Sequence, residues 1–102
     1  EAVHPHYRQV LDTYCWSMGI DVVVLKTEDG VTNDLSAAEG CASIILQSPN
    51  FFGQIEDLAA HRSACDADGS MMIVVADPVA CALMKAPGAY GADIVVGEGQ
   101  PM

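Results

Sequence analysis

Basic residues are scarce in this sequence. Only four of its 102 residues are lysine or arginine, against fourteen acidic residues, so the formal net charge is -10. Proteins that bind nucleic acids or anionic membranes depend on lysine and arginine to neutralise phosphate groups. The composition therefore argues against nucleic acid and against a membrane surface as partners.

Long apolar runs are also missing. No stretch approaches the ~20 residues that a membrane-spanning helix requires, and the first ten residues, EAVHPHYRQV, do not have the layout of a secretory signal peptide. We therefore expect a cytoplasmic protein. The chain has four cysteines but no CxxC pair, and we expect them to be small buried residues without a disulfide or a metal.

What the sequence does contain is apolar residues in regular patterns. Its length suits one modest domain, and 51% of the residues are hydrophobic, which is typical of a packed globular chain. Apolar spacings of three and four predict helices at 6–18, 55–66 and 79–84. Short β-branched runs predict strands at 20–25, 42–47, 71–76 and 92–96.

The alternation of helices and strands predicts the fold class. Strands that alternate with helices form parallel sheets joined by helical crossovers, so we expect an α/β fold with a three-layer, open, mostly parallel sheet. In such sheets, ligands bind beyond the carboxyl ends of the strands. The loops at 47–53, 77–78 and 97–100 are the candidates for a site.

Three short motifs allow both a functional and a structural interpretation. His4 and His6 form an HxH, but no further metal ligand is spaced nearby, so the start of a helix is the better explanation. Asp77, before Pro78, is interpreted as a strand end whose carboxylate accepts hydrogen bonds from the next amides. Gly97 and Gly99 form only a weak phosphate-loop pattern, and Glu98 between them would repel a phosphate.

Four longer segments resemble a known family. They are HPHYRQVLDTY at 4–14, EDGVT at 28–32, QSPNFFGQIED at 47–57 and GADIVVGEGQP at 91–101. Together they are similar to the P-protein of the glycine cleavage system, and in particular to its subunit 1 form, over almost the whole chain. QSPNFFGQIED and ADIVVGEGQP are long and unusual in composition, so a chance match of both in the right order is improbable.

The resemblance implies a fold-type I pyridoxal phosphate enzyme. Residues 1–102 would form central βα units of its large domain, with the amino-terminal segments, the cofactor-lysine region and the small domain absent. The family decarboxylates glycine and transfers the aminomethyl group to the lipoyl H-protein, with pyridoxal phosphate as the electron sink. An isolated piece of this kind is expected to be inactive by itself.

The resemblance also carries over individual positions. In the catalytic half of the family a His-Lys pair follows the last strand, and here Gln100 and Pro101 occupy those positions. Since proline has no side-chain amine, this chain is expected to hold no covalent cofactor and no catalytic residue. Asn50, Asp77 and Gln100 are the expected cofactor-contacting residues, because Asp77 matches the partner of the pyridine nitrogen and Asn50 the loop near the ring.

Two hypotheses about function follow. In the first, the chain belongs to a half that completes the active site with a lysine-bearing half, glycine and the H-protein. In the second, it is a flavodoxin-like α/β domain that binds a ligand or regulates without catalysis. If neighbouring strands of a larger sheet are missing, the exposed edges are expected to pair two copies of the piece as a homodimer.

Overall fold

A computed structural model describes residues 1–102. Three helices alternate with three strands: α1 (Pro5–Met18), β1 (Ser43–Ser48), α2 (Leu58–Asp68), β2 (Met71–Ala76), α3 (Pro78–Leu83) and β3 (Ile94–Val96). Two short 3-10 turns lie at Ser36–Ala38 and Pro87–Tyr90. None of the helices has the length and apolar character needed to cross a membrane.

The strands form one sheet in the order β1-β2-β3. Both neighbouring pairs are parallel, with Ile45 opposite Ile73 and Ile73 opposite Ile94. The predicted α/β class with parallel strands is therefore confirmed. The parallel arrangement also brings the carboxyl ends of all three strands to the same edge of the sheet.

The core lies on one face of this sheet. Alternate residues of β1 and β2 are buried there, and α2 packs over them with Leu58 and Cys65. Met72 and Val74 are completely buried. The apolar runs had predicted strands covered on both faces, yet the opposite face is only half-buried at Ile45 and Ile73, because no element of the described chain covers it completely.

Helix α1 begins at Pro5, one residue before its predicted start, and ends at Met18 as predicted. His4 caps its amino terminus by accepting a hydrogen bond at Nδ1 from the backbone N–H of His6, at 3.0 Å, and Pro5 takes the first helical position, where a missing N–H costs nothing. Gly19 ends the helix with a left-handed φ of 70°. The helix-start interpretation of the HxH motif is confirmed.

The predicted strand at 20–25 is wrong. These residues form no ladder with any strand, and Val22, Val23 and Val24 are 42 to 50% exposed. β-branched residues favour an extended backbone, but a strand also needs a neighbour to pair its N–H and C=O groups. The described chain supplies none at this place, so the sheet has three strands instead of the predicted four.

Most of the other boundaries shift by one to three residues. Helix α2 starts at Leu58 instead of 55, because Asp57 caps it through a 3.1 Å bond from the Ala60 N–H. Ile55 therefore lies outside the helix and is 54% exposed. Strand β2 matches its predicted range, while β3 keeps only three of five predicted residues.

Candidate functional site

A cleft of about 210 Å³ opens at the carboxyl edge of the sheet. Parts of all three loops that the sequence had singled out border it. Because the strands are parallel, these loops converge although they are distant in sequence. The lining residues are His4, Tyr7, Gln47, Pro49, Val75, Ala76, Asp77, Pro78, Gly97, Glu98, Gln100 and Pro101.

Asp77 stands at the end of β2, on the wall of the cleft. Its Oδ1 accepts a 2.9 Å hydrogen bond from the Val79 N–H and so caps α3. The predicted structural role of this residue is confirmed. Its carboxylate still borders the cleft, and a contact with a cofactor stays a prediction.

Tyr7 and Glu98 join two ends of the chain at the cleft. The Tyr7 hydroxyl, in the first turns of α1, donates a 2.8 Å hydrogen bond to Oε1 of Glu98, which follows β3. This bond to a carboxylate raises the pKa of Tyr7 above its ordinary value. Spacing could not have revealed the pair, because 91 positions separate its members.

His4 connects α1 to β1. Its backbone N–H donates to Oε1 of Gln47 at 2.9 Å, and its ring meets Phe51 edge-to-face with the centroids 5.2 Å apart. The residue therefore caps a helix, anchors it to the sheet and lines the cleft. The sequence had predicted only the first of these roles.

Gly97 lies where the backbone of β3 leaves the sheet. A Cβ added to Gly97 would clash with the carbonyl oxygen of Ala76, whereas the nearest atom to a Cβ on Gly99 would be Cε of Met102, at 4.0 Å. The first glycine thus permits close backbone packing. This close packing is a structural reason for Gly97, so a phosphate-binding loop is not needed to explain the glycine.

Asn50 lies behind the wall of the cleft and is not among the residues that line it. It is 5% exposed, and its side chain bonds to the backbone of Gly30 and to the carboxylate of Glu56. Glu56 is equally buried, and the sequence had not nominated it. An acidic residue between Ile55 and a helix cap carried no sequence signal that it would be buried.

The cleft is acidic and has no side-chain amine. Among the residues that line it, Asp77 and Glu98 carry carboxylates, and no lysine or arginine is present. Gln100 and Pro101, which by resemblance occupy the positions of the His-Lys pair, both line it. The arrangement can accept hydrogen bonds from a ligand, but it offers no amine for a Schiff base and only weak means of binding a phosphate.

Comparisons with known proteins agree with one another. The sequence model of the family described as glycine cleavage system P-protein matches residues 1–102. A protein named "Probable glycine dehydrogenase (decarboxylating) subunit 1" from Chlorobium phaeobacteroides is 47% identical over 98% of the chain. A protein of the same name from Moorella thermoacetica is 44% identical over 99% of the chain.

A solved structure is similar as well. The crystal structure of glycine decarboxylase (P-protein) of the glycine cleavage system, in inhibitor-bound form, matches 99% of the chain with a TM-score of 0.93 and 40% identity. The chain spans 24% of the length of the two curated relatives and 23% of the crystallised chain. The match therefore concerns about a quarter of the larger proteins.

Proposed function

Because this chain belongs to the glycine cleavage system P-protein family, we propose that it forms part of the half of glycine decarboxylase that carries no cofactor lysine. The observation that carries the proposal is the cleft after β3. Pro101 lines it, and neither Lys26 nor Lys85 does. The relatives named as subunit 1 support the same assignment.

Within that half, residues 1–102 form central βα units of the large domain. The partial coverage of the relatives supports this, as do the half-exposed second face of the sheet and the unpaired segment at 20–25. In the whole protein, further polypeptide would pack on these surfaces. Glycine decarboxylation is then an activity of the assembled enzyme, to which this piece contributes structure.

Pyridoxal phosphate does not fit this cleft as a covalently held cofactor. A Schiff base requires a lysine amine, and the cleft has none. The carboxylates of Asp77 and Glu98 would also repel the phosphate group. The cofactor would therefore be held by the lysine-bearing half, and contacts to it from Asp77 and Gln100 stay predictions.

The partners follow from the family reaction. They are a lysine-bearing half, glycine as substrate and the lipoyl H-protein as acceptor of the aminomethyl group. The family match favours this hypothesis over a flavodoxin-like binding domain, which would need no partner. The acidic composition supports the expected absence of nucleic acid and membrane partners, and a cytoplasmic location stays a prediction.

Reconstitution tests the proposal. The full-length polypeptide that contains this chain would be mixed with pyridoxal phosphate, then with a lysine-bearing half, H-protein and glycine. Absorbance follows cofactor attachment, and release of carbon dioxide from labelled glycine follows the reaction. We expect no Schiff-base band with this polypeptide alone, and decarboxylation only when both halves are present.

Two results would contradict the proposal. A Schiff base on this polypeptide alone would overturn the argument from Pro101. Full activity of the lysine-bearing half without this polypeptide would show that it does not complete the active site, and would favour the binding-domain alternative.

A further inference from the structure

The carboxylate of Glu56 connects three separate segments of the chain. Its side chain is only 1% exposed. Its oxygens accept hydrogen bonds from the backbone N–H of Thr32, at 3.1 and 3.2 Å, and from Nδ2 of Asn50, at 3.0 Å. Nε2 of His61, on α2, lies 3.4 Å away. A buried carboxylate without partners would be costly, so these contacts must be kept.

The side chain of Asn50 has no hydrogen-bonding capacity left for a ligand. Its amide nitrogen donates to the carbonyl of Gly30, at 2.7 Å, and to Glu56. Its oxygen accepts from the N–H groups of Phe52 and Gln54, both at 3.0 Å. An asparagine amide has two donor hydrogens and two acceptor lone pairs, and all four are used within the chain.

These bonds determine the position of the loop that follows β1. Pro49, which lines the cleft, stands between Asn50 and Ser48, whose hydroxyl accepts a 3.2 Å hydrogen bond from the Glu56 N–H. The loop is therefore held on both sides of Pro49 by residues that bond to Glu56. A change in this pair would move the wall of the cleft without removing any group that faces it.

We propose that Asn50 and Glu56 are a pair of positioning residues that fix the Pro49 wall of the cleft, and that neither touches a substrate or cofactor. The inference rests on the proposed function, because it assumes that the cleft contributes to glycine decarboxylation. It differs from the assignment by resemblance, in which Asn50 contacts the cofactor.

The test uses four variants of the full-length polypeptide, assembled with a saturating amount of the lysine-bearing half. Glu56→Gln places two amide groups side by side, and Asn50→Asp places two carboxylates there. The double variant, Asn50→Asp with Glu56→Gln, restores one amide and one carboxylate in exchanged positions. It does not restore the bond to the Gly30 carbonyl, because an aspartate has no amide donor, so only partial recovery is expected. Glu39→Gln is the matched control, because Glu39 is exposed and lies outside the cleft and the pair.

Two readouts are measured: the kcat and KM for glycine, and hydrogen exchange at the backbone amides of Phe52 and Gln54. Neither residue touches the substrate, so the loss of their charge-assisted hydrogen bond, worth about tenfold or more in an equilibrium constant, should quicken hydrogen exchange of the loop by about that factor in each single variant. The displaced Pro49 wall should in turn raise the KM for glycine. Loss of positioning should weaken binding of the substrate and of the transition state equally, and kcat should therefore stay within about twofold. Loop exchange should quicken, while exchange at Val74 in the core stays unchanged.

The double variant decides between positioning and direct contact. If the residues act as a pair, it recovers part of the KM and of the slow loop exchange relative to both single variants. No recovery in either readout would overturn the proposal, as would unchanged loop exchange in Glu56→Gln or an equal effect in Glu39→Gln. If the unaltered polypeptide supports no decarboxylation, the proposed function fails, and hydrogen exchange alone still tests the pair.

Discussion

Replacement of Gly97 by alanine should destabilise the end of β3. Neither Gly97 nor Gly99 has a left-handed φ, so the backbone conformation by itself accepts alanine at both positions. At Gly97 the new Cβ would lie closer than 3.0 Å to the Ala76 carbonyl oxygen, a separation that real Cβ atoms do not show. The atom that must yield belongs to the backbone of the adjacent strand.

The size of the effect follows from this geometry. Ordinary contact begins at 3.4 Å, so the end of β3 must move away from β2 by more than about 0.4 Å, in the range where overpacking costs about 1–3 kcal/mol. The contact between β2 and β3 is short, since only three residue pairs join them. We therefore expect the displacement to weaken the whole pairing and to reshape the cleft.

Denaturant unfolding of the full-length polypeptide measures this change. Gly97→Ala should lower the transition midpoint at an unchanged m-value. Gly99→Ala is the matched control, because its Cβ would find only the side chain of Met102, at 4.0 Å, and its effect should stay within about 0.5 kcal/mol. Equal midpoints for the two variants would refute the reasoning.

Three further predictions follow from the structure. The pKa of Asp93 is lowered by the hydrogen bond from the Met72 N–H and by Arg62. The contribution of Asp93 to the free energy of unfolding is therefore present above the ordinary pKa of 3.8 and is lost as the pH falls below that value. Unfolding of Asp93→Asn should therefore depend less on pH in that acidic range, and an unchanged dependence would contradict the assignment. Met72→Ala, at a completely buried position, should cost about 2–5 kcal/mol of unfolding free energy, measured against the exposed substitution Met102→Ala. The 102-residue piece alone, whose outer strands β1 and β3 each have one unpaired edge, should sediment as a dimer or larger species, and a monomer at all concentrations would contradict this expectation.

The sequence predicted the local elements well where the signals were local. Helix α1 could be bounded from His4 and Gly19, because a cap and a left-handed glycine lie next to the helix that they end. Strand β2 could be bounded from its own β-branched residues and the Asp77-Pro78 stop. The family could be recognised because whole ordered segments such as QSPNFFGQIED are read directly from the chain.

The failures have a common physical cause. The valine-rich segment at 20–25 reads as a strand, but strand formation depends on hydrogen bonds with a neighbour that the segment does not contain. The sheet was also predicted to be covered on both faces, and whether a second layer covers it likewise depends on segments outside the strands themselves. Local propensity describes what a segment can adopt, and only its partners determine what it adopts.

The candidate site, too, could be predicted from the sequence only in part. The amino acids themselves determined that the chain is acidic, that Pro101 offers no amine and that three loops follow three strands. Only the tertiary structure brought Tyr7 to Glu98 and Thr32 to Glu56, across 91 and 24 positions, and used every hydrogen bond of Asn50 within the chain. Hydrogen bonds act over about 3 Å, so their partners are decided by how the strands and helices pack and not by distance along the sequence.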